Sequence, residues 1–168
     1  MSIPADRNYI EIYKADCDCY VETGSYVGDS VTLAVKAGFQ EIHSIDIINK
    51  IPESYSHGMK NITFHIGDSP KVLDELLPKL KDKKIFFFLD AHSMLTEGEE
   101  ENYPLLNELN VIAKHCNNCV ILIDDYLYMT HHLITGFSTK MIEKRLDMMG
   151  LEIEYLSNPI INNILLAR

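Results

Sequence analysis

The sequence is poor in basic residues. Fifteen Lys and Arg stand against twenty-five Asp and Glu, a formal net charge of −10. A nucleic-acid partner calls for a basic face, so this balance argues against one. The one basic run, Lys79 to Lys84, reads as a solvated helix end. Long apolar runs are missing as well. None exceeds Ile85 to Leu89, far too short to span a bilayer. The N-terminal Met-Ser-Ile-Pro-Ala-Asp-Arg has no apolar signal core. These absences predict a soluble, cytoplasmic protein with no membrane partner. No low-complexity run appears, and 168 residues suffice for a single domain, residues 1–168, that buries a core without staples.

Cysteine is sparse: Cys17-x-Cys19 and Cys116-x-x-Cys119. Nothing marks the secretion that would make a disulfide framework the natural reading. Both pairs precede strand-like runs, at what would be the same end of a parallel sheet, so a zinc site is conceivable. Reduced, buried thiols are the simpler reading, because Cys-x-Cys makes a poor half-site.

The dinucleotide signature Gly-x-Gly-x-x-Gly is also absent. In its place is Cys19-Tyr-Val-Glu-Thr-Gly-Ser-Tyr-Val-Gly-Asp-Ser30. This stretch is a strand ending at an acid, Glu22, then a turn with Gly24 and Gly28, then a helix from Val31 to Ala37 closed by Gly38. Glycines let the backbone approach a ligand closely, and the free N–H groups of the helix start favour an anionic end. With no pyrophosphate turn, the loop points to a nucleoside carrying a carboxylate, S-adenosylmethionine (SAM). The next strand, Glu41 to Ile45, ends in Asp46, 22 residues beyond Gly24, a separation that suits a carboxylate on a ribose.

Further along, Ala5 to Ala15 and Ile51 to Lys60 read as weak helices, and Ile62 to Ile66 as a strand. Gly67-Asp68-Ser69-Pro70 then opens a helix, with Ser69 suited to the N-cap and Pro70 to the first turn. Leu73, Leu76, Leu77 and Leu80 share one face of that helix, which Pro78 should kink or shorten. Lys84 to Leu89 is a buried strand ended by Asp90, and Cys119 to Ile123 another, ended by Asp124 and Asp125. A helix carries Leu105, Leu106, Leu109, Ile112, Ala113 and Cys116. Four strands thus finish in carboxylates, and Asp68 stands just past the remaining one. In a parallel sheet those ends share the edge where ligands bind in open α/β folds.

The tail has a helix around Ser138 to Met149, then strands Leu151 to Leu156 and Ile160 to Ala167 with only Ser157-Asn158-Pro159 between them. That leaves no room for a crossover, so the two pair antiparallel. The expected fold is α/β: a Rossmann-like, mostly parallel seven-stranded sheet with an antiparallel last strand and helices on both faces.

From about Asp18 onward these residues resemble the class I SAM-dependent methyltransferases. Glu22-Thr-Gly-Ser-Tyr-Val-Gly-Asp-Ser30 is similar to the Glu-x-Gly-x-Tyr-x-Gly-x-Ser loop of catechol-type O-methyltransferases. Leu89-Asp90-Ala91-His92 is similar to their Leu-Asp-His segment with one residue added. Ile123-Asp124-Asp125-Tyr126 resembles the acidic pair of metal-dependent O-methyltransferases, including those acting on macrolide sugars. Val-Glu-Thr-Gly, Gly-Asp-Ser, Leu-Asp-x-His and Ile-Asp-Asp are also shared with little-characterised bacterial and viral methyltransferase-like proteins.

The resemblance implies a cofactor site of Glu22, Gly24, Ser25, Tyr26, Gly28, Ser30, Asp46, Ile47, Gly67, Asp68, Ser69 and Asp90, with S-adenosylhomocysteine (SAH) as product. Gly24, Tyr26 and Ser30 would surround the methionine part, Asp46 the ribose, and Asp68 with Ser69 the adenine. Asp90, Asp124 and Asp125 would coordinate Mg²⁺ or a similar divalent cation, an oxygen set that such a hard ion prefers. Asp90 and His92 are the catalytic candidates. One departure stands out: the catechol enzymes carry a lysine base three residues after Leu-Asp-His, whereas here His92 is followed by Ser93, Met94, Leu95 and Thr96. His92 is then either the substitute base or a partner that orients the carboxylate.

Each residue also has a plain structural reading. Asp46 can be a strand-end acid, Asp68 and Ser69 helix caps, His131 and His132 loop histidines, and Glu97 to Glu101 a solvated loop. The leading expectation is metal-assisted O-methylation of a small hydroxylated molecule, a sugar among the candidates. A metal-independent methyltransferase and a non-catalytic SAM- or SAH-binding protein are the alternatives. A nicotinamide dehydrogenase is disfavoured by the glycine spacing and the tail. A homodimer supplying a lid would suit so small a chain.

Overall fold

Short apolar runs bounded by glycines and acids become strands, and the amphipathic stretches between them become helices. A computed structural model describes residues 7–48, 50, 61–92, 103–130, 136–156 and 164–168. In chain order the elements are α1 (Arg7–Tyr13), β1 (Cys19–Thr23), α2 (Asp29–Ala37), β2 (Glu41–Asp46), β3 (Ile62–Ile66), α3 (Ser69–Leu76), β4 (Ile85–Leu89), α4 (Leu105–His115), β5 (Cys119–Ile123), α5 (Tyr126–Met129), α6 (Thr139–Met148), β6 (Ile153–Leu156) and β7 (Ile164–Ala167). Residues 51–60, expected as a weak helix, lie outside the described residues.

The seven strands form one sheet in the order β3-β2-β1-β4-β5-β7-β6. From β1 to β5 neighbouring strands are parallel, in the register Cys19↔Glu41 and Cys19↔Ile85 on the two sides of β1. β7 is antiparallel to both β5 and β6, as the tail predicts. Seven residues separate Leu156 from Ile164, too few for a parallel crossover. The chain runs outward from β1 through β2 and β3, then returns to β4 on the other side of β1. The topological switch therefore falls between β1 and β4, and the crevice beyond their carboxyl ends is where this architecture binds ligands.

Successive residues along the strands pack into opposite faces of the sheet. Val21, Ile45, Phe87, Leu89, Ile121 and Leu165 pack with Leu73, Leu77, Leu109, Ile112 and Leu146 of the helices on one face. Tyr20, Ile42, Phe86, Phe88, Leu122 and Leu166 pack with Ile10, Val31, Ala34 and Phe39 on the other. Tyr20 and Phe86 stack with centroids 6.0 Å apart, and Phe39 leans on both. Fully burying each such side chain stabilises the fold by ~1.5–3 kcal/mol. β1, β4 and β5 are buried on both faces, so the backbone at their ends is held rigidly.

α3 ends at Leu76 and tightens into a 3₁₀ turn over Leu77–Leu80, because Pro78 lacks the N–H that would continue the α-helix. Its start differs from the expectation. Asp68, not Ser69, occupies the N-cap, Ser69 and Pro70 being the first helical residues. The Ser69 hydroxyl is instead donated to Glu108 of α4. No helix among the described residues is long and apolar enough to cross a membrane.

Candidate functional site

The site is built on the carboxyl ends of β1, β2, β4 and β5. β1 turns at Gly24, whose φ of +87° is open to glycine and strained for other residues. Its N–H is donated to the Ile45 carbonyl of β2 at 2.9 Å. On the other side it presses on β4: a Cβ at Gly24 would lie 2.5 Å from the Asp90 carbonyl oxygen. Tyr26 follows with φ +45° and an exposed ring, and Gly28, at φ +85°, precedes the first turn of α2. The free N–H groups of that turn face the same edge as the strand ends.

Asp46 fastens this loop. One carboxylate oxygen accepts the Tyr26 N–H at 2.8 Å, and the other accepts the Ile48 N–H at 3.0 Å. Each oxygen keeps a second lone pair with which to accept a hydroxyl. Ile47, just past β2, is 60% exposed, so its side chain offers an apolar surface at the crevice.

Beneath the loop lies a polar network of which the sequence predicted only parts. Glu22 is fully buried; its carboxylate accepts the Ser44 hydroxyl at 2.6 Å and the Tyr20 hydroxyl at 2.9 Å. Ser25 in turn bonds to Ser44, and Ser30 reaches Glu22 from α2. Burial pushes the Glu22 pKa up to about 7, against the pull of the Ser30, Ser44 and Tyr20 hydroxyls. Ser25 and Ser30 thus tie β1, β2 and α2 together under the crevice. Glu108 repeats the arrangement on the opposite face. It is buried, accepts the Ser69 hydroxyl, and is raised to about 7 by burial, with Ser69 and Thr23 pulling the other way. Asp68 pairs with Lys71 at 3.0 Å, its side chain staying partly exposed beside Gly67.

At the end of β4, Asp90 donates its N–H to Thr23 of β1, and Asp124 donates its own to Leu89 of β4. These ladder bonds bring the ends of β4 and β5 together. His92 lies between two carboxylates, its Nδ1 3.4 Å from Asp90 Oδ1 and its Nε2 3.7 Å from Asp125 Oδ2. The three ligand atoms all lie within 4.8 Å of one another. Asp124, expected as a ligand beside them, is not in that cluster; its Oδ1 accepts the Asp125 N–H at 2.8 Å. Asp125 carries φ +47°, a left-handed conformation in the turn after β5. Burial raises the Asp90 pKa against the pull of His92, and the Asp90 carboxylate raises that of His92 despite burial. Two carboxylates and an imidazole so close form a donor set that fits a divalent cation.

His131, His132 and Glu97 to Glu101 lie outside the described residues. The four cysteines are free thiols, and no cluster of three or more metal-ligating side chains among the described residues contains two of them.

No protein-family model matches the chain, and no curated protein does. Solved structures match closely in shape. The O-methyltransferase TomG from Streptomyces achromogenes superposes with a TM-score of 0.69 at 11% identity, over 99% of this chain and 80% of that one. The chain has the class I methyltransferase fold. The methyltransferase MycE of the mycinamycin biosynthetic pathway gives a TM-score of 0.61 at 14% identity, over 98% of this chain and 48% of that one. A ribosomal protein L11 methylase from Lactobacillus delbrueckii gives 0.59 at 18% identity, over 96% and 75%.

Proposed function

We propose that the chain is a SAM-dependent methyltransferase that uses a divalent cation to methylate a hydroxyl oxygen of a small molecule, sugars being one candidate class. The observation that carries this is the meeting, at one sheet edge, of the Gly24–Gly28 loop, the Asp46 carboxylate and the Asp90–His92–Asp125 cluster. The first two suit an adenosine ligand with an anionic end, and the third suits an ion beside it. Two fold relatives support the reading: TomG was solved in complex with SAM, and MycE with Mg, SAH and mycinamycin VI.

In this reading Asp46 accepts the ribose hydroxyls while it holds the loop by Tyr26. Asp68 and Ser69 lie beside the adenine, and the start of α2 faces the methionine end. Asp90, His92 and Asp125 would hold the cation, which when bound lowers the pKa of an acceptor hydroxyl. Transfer forms a bond from the acceptor oxygen to the methyl carbon as the carbon–sulfur bond breaks, and the hydroxyl proton passes to solvent. The chain's main contribution is positioning: Gly24 against Asp90 fixes how far the loop stands from the cluster.

The test is transfer of a labelled methyl group from SAM to a panel of hydroxylated small molecules, with Mg²⁺, with Mn²⁺ and with a chelator. Turnover abolished by the chelator supports the proposal. Turnover indifferent to it favours metal-independent transfer, and cofactor binding without turnover of any acceptor favours a SAM-binding protein.

A further inference from the structure

A second cluster of ligating side chains lies at the opposite edge of the sheet. Cys19 and Glu41 are the first residues of β1 and β2 and stand opposite each other in the register; His43 is two residues further along β2, on the same face. The Cys19 sulfur, a Glu41 oxygen and a His43 ring nitrogen all lie within 4.8 Å of one another. Cys19 is fully buried and His43 nearly so, while Glu41 keeps a third of its side chain in solvent.

Two of the three donors are already held by partners. His43 Nε2 faces Glu41 Oε1 at 2.9 Å, and its Nδ1 pairs with His65 Nε2 on β3 at 3.0 Å. A histidine whose far nitrogen is held by a partner has its ring orientation fixed, which is how metal-ligating histidines are usually supported. The other oxygen of Glu41 is held by Lys83 at 2.7 Å, so the carboxylate presents one oxygen inward. We propose that Cys19 Sγ, His43 Nε2 and Glu41 Oε1 form a zinc-type site, separate from the methyl-transfer edge, whose fourth position is a water on the open side of Glu41. Thiolate, imidazole and carboxylate are the donors Zn²⁺ takes, usually four in all. Binding releases the Cys19 thiol proton to solvent and shifts the His43 ring proton from Nε2 to Nδ1, where His65 Nε2 accepts it. The thiolate and the Glu41 carboxylate offset the charge of the ion, with Lys83 still paired to the outer Glu41 oxygen. β4 separates β1 from β5, so Cys119 stands two strands from Cys19, about 10 Å away, and takes no part. The ion would clip β1 to β2 at their starts.

Cobalt(II) titration of the full chain tests this, because cobalt bound to a thiolate gives near-ultraviolet charge-transfer absorption that oxygen ligands alone do not. The wild type and a Cys116→Ser/Cys119→Ser variant should both show the band, saturating at one equivalent and bleached by Zn²⁺. Cys19→Ser should lose it. Glu41→Gln, at a partly exposed position and with its fold checked by circular dichroism, should weaken cobalt binding tenfold or more. A band absent from the wild type, surviving in Cys19→Ser or lost with Cys116 and Cys119 would overturn the site. So would unchanged affinity in folded Glu41→Gln.

Discussion

Gly24 rests directly on the backbone of Asp90: a Cβ placed on Gly24 would lie 2.5 Å from the Asp90 carbonyl oxygen and 3.0 Å from the Ala91 nitrogen. The loop expected to hold the cofactor and the carboxylate expected to hold the cation are therefore one packed unit, joined at the switch between β1 and β4. Gly24→Ala should force that contact apart at a positive φ, costing ~1–3 kcal/mol of stability. SAM affinity should fall more than tenfold, read by calorimetry, with cation binding weakened as well. Unchanged affinity for both would show that the contact does not position the site.

The two buried carboxyls give the protein a pH dependence opposite to ordinary acid denaturation. Glu22 and Glu108 are raised to about 7 in the folded state, against 4.5 for a free glutamate. The folded state therefore holds protons that the unfolded state has released, and stability falls as pH rises from about 4.5 to about 7. Each group accounts for about 3 kcal/mol over that window. Glu108→Gln should flatten the slope, leaving the protein more stable at pH 8 by roughly 6 to 12 °C in Tm. Thermal melts between pH 5 and 8 read this directly; a steeper slope in the variant would contradict it.

His92 should act as a third ligand. Its pKa is raised by Asp90 and a bound ion must displace its proton, so Mn²⁺ affinity should fall as pH drops through that raised value. His92→Ala should weaken Mn²⁺ binding at least tenfold by electron paramagnetic resonance. Full Mn²⁺ affinity with kcat alone reduced would make His92 a base instead.

What could be read in advance was whatever repeats along one element. The buried strands announce themselves as apolar runs ended by acids, and so the sequence alone places Glu22, Asp46, Asp90 and Asp124 on one edge. The three residues Ser157-Asn158-Pro159 between the last two expected strands were enough to give their antiparallel pairing. Contacts between elements were less accessible. Glu108 was missed, although Leu105, Glu108, Leu109 and Ile112 follow helical spacing and put it on the buried stripe of α4. Ser44 and Ser25 join Glu22 only through the register Glu22↔Ser44, which no single strand reveals. Ser69 looked like a cap because its residue type suits one; the buried carboxylate across from it claims the hydroxyl instead. That Asp125 and His92, not Asp124, stand beside Asp90 shows only in the folded turn after β5, where Asp124 Oδ1 accepts the Asp125 N–H.

Asp46 offers the most direct test of the central claim, because it both holds the loop through Tyr26 and faces the expected ribose. Calorimetric titration of SAH into the wild type should show one site of micromolar affinity, with or without Mg²⁺. Asp46→Ala removes hydrogen bonds to a charged group, worth ~1.5–3 kcal/mol each, and should weaken binding by roughly ten- to a hundredfold or more. No SAH binding by the wild type, or equal binding by wild type and variant, would contradict the assignment of this edge as a methyltransferase cofactor site.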